Sequence, residues 1–266
     1  MTKHDGYNII YIIKQAARGH RTMRKTVDIL GIPVDAITMK DAVERVGAFV
    51  REGGAHAIYT PNAEIMMAAQ RDHELKEILK KSDMLVADGA GVVLASKLLG
   101  RPVPEKVSGV DLVREVFKVY AANGLSCYLF GAKPGFAQEA ADRIKAEYPG
   151  LMIAGFHDGY FTEQEEAEII DDINRSSPDI LLVALGAPKQ EKWIYSRLGK
   201  LNAKVCMGVG GTIDILSGRV QLCPDFFRRN GLEWLYRLYK EPRRARRQLD
   251  LPRFMLRVLY ARVTGR

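Results

Sequence analysis

Two kinds of pattern alternate along the chain: short runs of consecutive apolar residues, and longer stretches whose apolar positions recur every three to four residues. From Lys25, Val27 and Ile29 alternate with polar neighbours, and Gly31-Ile32-Pro33 turns the chain into a second run through Val34 and Ile37, which predicts a hairpin. Thr38 followed by Asp41 resembles a capping box with Asp in place of Glu. Ala42, Val43, Val46 and Phe49 follow at helical spacing, so a helix is predicted to about Arg51. Downstream, strands are predicted over 57–59, 84–87, 126–130, 152–156, 180–184 and 205–208. The helices between and after them are predicted over 63–81, 91–99, 110–123, 136–148, 163–176, 190–198 and 212–217.

Strands that are apolar throughout and separated by helices belong to a mostly parallel sheet covered on both faces. The fold class is therefore α/β, Rossmann-like, with helices on both faces of the sheet. Ligands of such sheets bind beyond the carboxyl ends of the strands. The loops there read Thr60-Pro61-Asn62, Asp88-Gly89-Ala90-Gly91, Gly131-Ala132-Lys133-Pro134-Gly135, Leu185-Gly186-Ala187-Pro188-Lys189-Gln190-Glu191 and Gly208-Val209-Gly210-Gly211-Thr212.

Composition sharpens this picture mainly through charge. The formal net charge is +8, but residues 226–266 carry 12 Lys/Arg against 3 Asp/Glu, leaving 28 of the 40 basic against 29 of the 32 acidic residues for 1–225. All the basicity sits in the tail, where Trp234, Leu235, Tyr236, Leu238 and Tyr239 interleave with Arg237 and Lys240. A second amphipathic stretch sets Phe254, Met255, Val258 and Leu259 beside Arg253, Arg257 and Arg262. Arginine interleaved with aromatic and aliphatic residues suits an anionic membrane surface, and also suits nucleic acid. With 266 residues, 47% of them hydrophobic, the chain can bury a substantial core, which excludes intrinsic disorder for most of its length. No apolar stretch reaches the roughly 18 residues of a membrane span, and the start lacks a secretory signal, so a cytoplasmic protein is expected. The organisation read is an extension over 1–22, with Met23 as the biological start; an α/β catalytic domain over 23–225; and a basic amphipathic helical appendage over 226–266. Cys127, Cys206 and Cys223 form no CxxC pair and read as reduced, buried thiols.

Each loop residue has an ordinary structural role beside a chemical one. The two glycine loops, 131–135 and 208–212, suit close approach of a diphosphate to a helix N-terminus, and equally suit tight turns between strand and helix. Neither is a P-loop or a complete GxGxxG. Asp88 could be an Asp-Gly turn or a cap, Thr60 a cap, and Gln190 a first-turn surface residue. All three nevertheless converge on one edge of one sheet, where a carboxylate could accept a hydroxyl proton while Thr and Gln orient a polar substrate. No Asp-X-Asp occurs and His4, His20, His56, His73 and His157 make no local pair, so no metal site is expected. A sugar-nucleotide enzyme of this kind would need another source of positive charge for a leaving diphosphate, and the tail is a candidate.

Read together, Thr60-Pro61-Asn62, Ala87-Asp88-Gly89, Gly131 to Gly135, Gly186 to Glu191, Gly208 to Gly211 and the Arg-rich end with Glu233-Trp234 resemble the WecG/TagA/CpsF family of bacterial glycosyltransferases, over about 26–251. The resemblance implies inverting, metal-independent transfer of a sugar from a UDP-sugar donor to undecaprenyl-diphosphate-linked N-acetylglucosamine at the inner face of the cell membrane, with no cofactor. The similar branch moves N-acetylmannosamine in the linkage unit of wall teichoic acid, and others use N-acetylmannosaminuronic acid or glucose. Carried over to this chain, Asp88 is the general base, Thr60 and Asn62 hold substrate near it, and Gln190 contacts the sugar. The last glycine loop with Gly210 and Gly211, together with Asp214, faces the uridine. Arg237, Arg244 and Arg247 meet the diphosphate, and Gly131, Lys133, Gly186, Pro188 and Lys189 line the substrate site. A peripheral association with the membrane is implied, and a homo-oligomer stays open. The first 22 residues and the basic stretch after Leu251 depart from the pattern.

Two other classes compete. A nucleic-acid-binding α/β protein would account for the tail but leaves the polar loops without a purpose, and the near-neutral body offers no basic track. A Rossmann methyltransferase or oxidoreductase lacks its GxGxxG and the ribose-binding acid about 20 residues on.

Overall fold

The computed structural model describes residues 24–240, 242 and 245–264; the extension over 1–22, Met23 and Arg244 lie outside the described residues. The chain opens with an antiparallel hairpin, β1 (Thr26–Ile29) and β2 (Ile32–Asp35). Its two loop residues, Leu30 and Gly31, have φ of 55° and 80°, the geometry whose twist matches a two-residue hairpin. Val27, Ile29, Ile32 and Val34 all point into the core. Helix α1 (Met39–Glu52) follows, capped by the Thr38 side chain, which accepts from the Asp41 N–H.

The sheet has six strands: β3 (His56–Tyr59), β4 (Met84–Leu85), β5 (Ser126–Gly131), β6 (Met152–His157), β7 (Ile180–Ala184) and β8 (Val205–Gly208). Their order is β4-β3-β8-β7-β5-β6 and every pairing is parallel. From β3 the chain moves outward to β4, then crosses to β5 on the opposite side, and β7 and β8 fill the gap. That reversal opens a crevice at the carboxyl ends of β3 and β8, where open α/β sheets take their ligands. Alternating side chains feed two cores. Tyr59, Leu85, Tyr128, Leu181 and Val183 join one, and Ile58, Met84, Leu129, Leu182 and Met207 join the other.

The first face is covered by α2 (Ala63–Ala69), α3 (His73–Lys80), α4 (Ala90–Leu98), α7 (Glu163–Ser176) and α8 (Lys189–Arg197). The second is covered by α1, α5 (Gly109–Tyr120), α6 (Phe136–Glu147) and the short α9 (Thr212–Leu216). The single helix expected over 63–81 is two helices. Asp72 adopts an extended backbone and its side chain accepts from the Leu75 N–H, so it ends one helix and caps the next. The hairpin is held against the edge strand by buried Asp35, which accepts from the Leu85 N–H at 2.7 Å, Arg24 Nη2 at 2.6 Å and Arg45 Nη1 at 3.0 Å.

After the sheet come α10 (Asp225–Arg229), α11 (Glu233–Lys240), α12 (Ala245–Gln248) and α13 (Asp250–Thr264). The last of these is packed into the body rather than set apart from it. Phe254 and Val258, one turn apart, are both 0% exposed within the first core, and α13 lies on α2 and α4. Arg71 fixes its start with a paired contact to Asp250 at 2.9 and 2.7 Å. No helix among the described residues is long and apolar enough to cross a membrane.

Candidate active site

Four strand ends build the crevice. Asp88 follows the buried run Met84–Ala87 on the edge of the sheet, with its backbone N–H donated to the Pro61 carbonyl at 3.3 Å. It does not cap the next helix. Gly89 takes that place without a side-chain bond, and the carboxyl is left to face the N-terminus of α5, where the Gly109 N–H donates to Oδ2 at 3.4 Å. Burial raises the Asp88 carboxyl from 3.8 to about 6, further helped by the negative charge of Glu233 and opposed by Arg237, the Gly109 N–H and Lys106. A carboxylate poised there is ionised at neutral pH yet basic enough to take a proton.

Thr60 follows β3 and is no cap either: its Oγ1 donates to the Gly208 carbonyl at 3.4 Å. Helix α5 begins so close that a Cβ on Gly109 would stand 3.0 Å from Thr60 Oγ1, so a larger residue there would press on the Thr60 side chain. Asn62 does carry the ordinary role, accepting from the Ile65 N–H at 3.1 Å as the cap of α2. Gln190 is only 3% exposed, not a surface residue. Its Oε1 accepts from the Gly210 N–H at 3.0 Å and its Nε2 donates to Glu191 Oε1 at 2.9 Å. Thr60 and Gln190 thus grip the same loop from its two ends. Gly210 in that loop has φ 52°, Gly211 precedes α9, and Asp214 sits half-buried in the first turn of α9.

The remaining loops lie further along the same edge. Gly131 ends β5 with φ 126°, and a side chain there would run into the Ala184 carbonyl. Lys133 is exposed with its Nζ 6.0 Å from the Phe136 ring centre, and Lys189 lies 4.7 Å over Phe161. Gly186, with φ 76°, and Pro188 are exposed beside it. At about 4.8 Å per strand, β5 is some 14 Å from β3, so Gly131 and Lys133 are not in the cluster around Asp88.

The tail closes the other side. Lys106 Nζ pairs with Glu233 Oε1 at 2.6 Å, and Arg228 Nη2 with Asp111 Oδ2 at 2.6 Å, which lays α10 and α11 over the crevice. Arg237 is exposed, and its charge acts on Asp88 more strongly than that of Lys106. Arg247 is exposed in α12, beside Gln248, whose Nε2 donates to the Trp234 carbonyl at 2.8 Å. Of the cysteines, Cys127 and Cys206 are buried, whereas Cys223 is half-buried near Glu233, Arg237, Arg228 and Lys106. The sequence pattern singled out neither Lys106 nor Gly109, and it marked Glu191 and Glu233 only as members of their motifs, with no role of their own. The signals available were the Pro-rich polar loop 102–106 and an acid next to Gln190 at a helix start.

The model of the glycosyl transferase WecG/TagA/CpsF family matches residues 27–266. The chain belongs to that family. It is a glycosyltransferase, and the match runs through the whole described tail. The chain is similar, at 37% identity over 202 residues (76% of this chain, 78% of the relative), to a protein of Bacillus spizizenii named N-acetylglucosaminyldiphosphoundecaprenol N-acetyl-beta-D-mannosaminyltransferase. A protein of the same name from Bacillus subtilis is 36% identical over the same length. One from Staphylococcus aureus is 32% identical over 244 residues, 91% of this chain and 95% of the relative.

Proposed function

We propose that this glycosyltransferase moves N-acetylmannosamine from UDP-N-acetylmannosamine to undecaprenyl-diphosphate-linked N-acetylglucosamine, inverting the anomeric centre, as a step in teichoic acid or related cell-surface polymer synthesis. The printed names of the relatives support the sugar and the acceptor. The observation that carries the chemistry is Asp88, a carboxyl raised to about 6 at a strand's carboxyl end, with Arg237 and Lys106 acting on it. Asp88 takes the proton of the acceptor hydroxyl as that oxygen attacks the anomeric carbon from the face opposite UDP. The bond to the diphosphate breaks in the same displacement. Charge growing on the departing UDP is met by arginine, with Arg237 already at the crevice and Arg244 and Arg247 beyond it in the chain. Thr60 and Gln190 set the Gly208–Gly211 loop for the nucleotide, Asp214 faces the uridine, and Asn62 orients substrate at the start of α2. Gly131, Lys133, Gly186, Pro188 and Lys189 extend the donor side along the sheet edge.

The lipid acceptor fits the outer face of α13. Leu256, Leu259, Tyr260 and Val263 are exposed there beside exposed Arg253, Arg257 and Arg262. Each arginine near an anionic surface adds roughly 1 kcal/mol, so this face would hold the enzyme on the inner leaflet without a spanning helix. The test is incubation with a short-chain lipid-diphosphate-N-acetylglucosamine and a panel of UDP-sugars while released UDP is measured. Release is expected with UDP-N-acetylmannosamine. Release with only another UDP-sugar would replace the donor, and none with any would overturn the reading.

A further inference from the structure

One buried acid at the crevice takes no part in the displacement. Glu191, next to Gln190 in the first turn of α8, is 1% exposed. Its Oε1 accepts from Gln190 Nε2, whereas Oε2 has no hydrogen-bond partner among the described residues. Burial pushes the carboxyl above the usual carboxylate range, and the Gln190 amide is the larger of the two contacts that pull it back. Its backbone carbonyl accepts from the Tyr59 hydroxyl at 3.3 Å, so the residue is tied into the end of β3 as well. A buried acid with one oxygen unpaired costs free energy that an apolar side chain of similar volume would not. What Glu191 supplies in return must pass through its side-chain partner.

That partner is a Gln amide, whose two ends have nearly the same shape and opposite hydrogen-bonding sense. The Gly210 N–H can only donate, and it donates to Gln190 Oε1. Glu191 Oε1 is an acceptor on the other side, so with a donor at Gly210 and an acceptor at Glu191 one orientation of the amide satisfies both neighbours. An amide at 191 could donate or accept, which would leave the Gly210 N–H as the one group that orients the Gln190 amide. The consequence reaches the loop, because Gly210 sits at φ 52° and the Gln190 contact fixes the direction of its N–H. Thr60 holds the neighbouring Gly208 carbonyl from the opposite side. We infer that Glu191 is a positioning residue: it locks the Gln190 amide so that Gln190 holds the Gly208–Gly211 loop in the form that receives the nucleoside diphosphate of the donor. This rests on the reading of Gln190 and that loop as the donor side of the site.

A double-mutant cycle on the full chain tests it, with UDP as the probe. Glu191→Gln keeps the volume and Glu191→Leu keeps the packing without an acceptor, and thermal melts report whether each folds. Each is expected to weaken UDP binding by calorimetry about tenfold and to raise donor KM in step, with kcat less affected. Gln190→Ala should weaken UDP binding at least as much, and adding Glu191→Gln to it should cause no further loss, because Glu191 acts only through Gln190. Wild-type UDP affinity in both folded Glu191 variants, or losses that add in the double variant, would overturn the inference while leaving the donor site standing. Wild-type binding and turnover in Gln190→Ala would instead bring down the reading of Gln190, and the inference with it.

Discussion

Replacing Asp88 by Asn makes opposite demands on activity and stability, which separates a functional acid from a structural one. The carboxyl stands at about 6 against an ordinary 3.8 because burial outweighs the pull of Arg237, the Gly109 N–H and Lys106. At about 1.36 kcal/mol per tenfold change in proton affinity, the folded state bears about 3 kcal/mol for keeping that group ionised. Between 3.8 and 6 the folded chain holds a proton that the unfolded chain has released. Stability therefore falls as pH rises through that window, and the full cost remains above it. Asp88→Asn keeps the Gly109 contact without the charge. At pH 7.5 it is expected to raise stability by up to about 3 kcal/mol, on the order of 6 °C in Tm, with the difference vanishing below about pH 4. Turnover should fall by about 10²–10⁴-fold, because the base is gone, with UDP affinity unchanged. Denaturant melts at pH 7.5 and 3.5, with UDP release as the rate assay, measure both. A variant that is less stable at pH 7.5, or that turns over like the wild type, would refute the placement of Asp88 as a strained functional carboxylate.

The pH profile gives a companion test: kcat/KM should rise with an acid limb near 6, and Arg237→Met should move that limb to higher pH, since removing the cation raises the Asp88 carboxyl further. A limb that stays put would separate Arg237 from Asp88. Exhaustive EDTA treatment should leave transfer intact; loss of activity that returns with magnesium or manganese would assign the diphosphate charge to a metal. Phe254→Ala should cost about 3–5 kcal/mol in urea unfolding, because the ring is wholly buried in the first core, and deletion from residue 226 onward should weaken the body as well as remove the arginines. An unchanged urea midpoint would show that α13 is dispensable to the fold. Leu256→Asp with Tyr260→Asp, both on the exposed face of α13, should release the protein from anionic vesicles while sparing transfer to a soluble short-chain acceptor. Retained vesicle binding would move the membrane contact elsewhere.

Local pattern was enough to read the strands and the loops after them. Strands buried on both faces are continuous apolar runs, and β3, β7 and β8 are buried at every position. Polar and glycine residues directly after such runs have to fall on the carboxyl edge of the sheet, so Thr60, Asp88 and Gln190 could be assigned to one edge from the chain alone. Their partners could not. That Thr60 and Gln190 hold Gly208 and Gly210 depends on β8 lying between β3 and β7, an order set by which crossover covers which face. The break at Asp72 escaped the helical period because apolar spacing continues across it while the backbone does not. In the tail, amphipathic spacing showed that α13 has an apolar side, but the same spacing serves a membrane and a protein core. Only the fold puts Phe254 and Val258 in the core and leaves Leu256, Leu259, Tyr260 and Val263 outside. The basicity of Asp88 is likewise tertiary: it arises from desolvation by the packed crevice and from Glu233, against the pull of Arg237 and Lys106, residues 18 to 149 positions away in the chain. Sequence periodicity records that a side chain must be covered, and the chain as a whole decides what covers it.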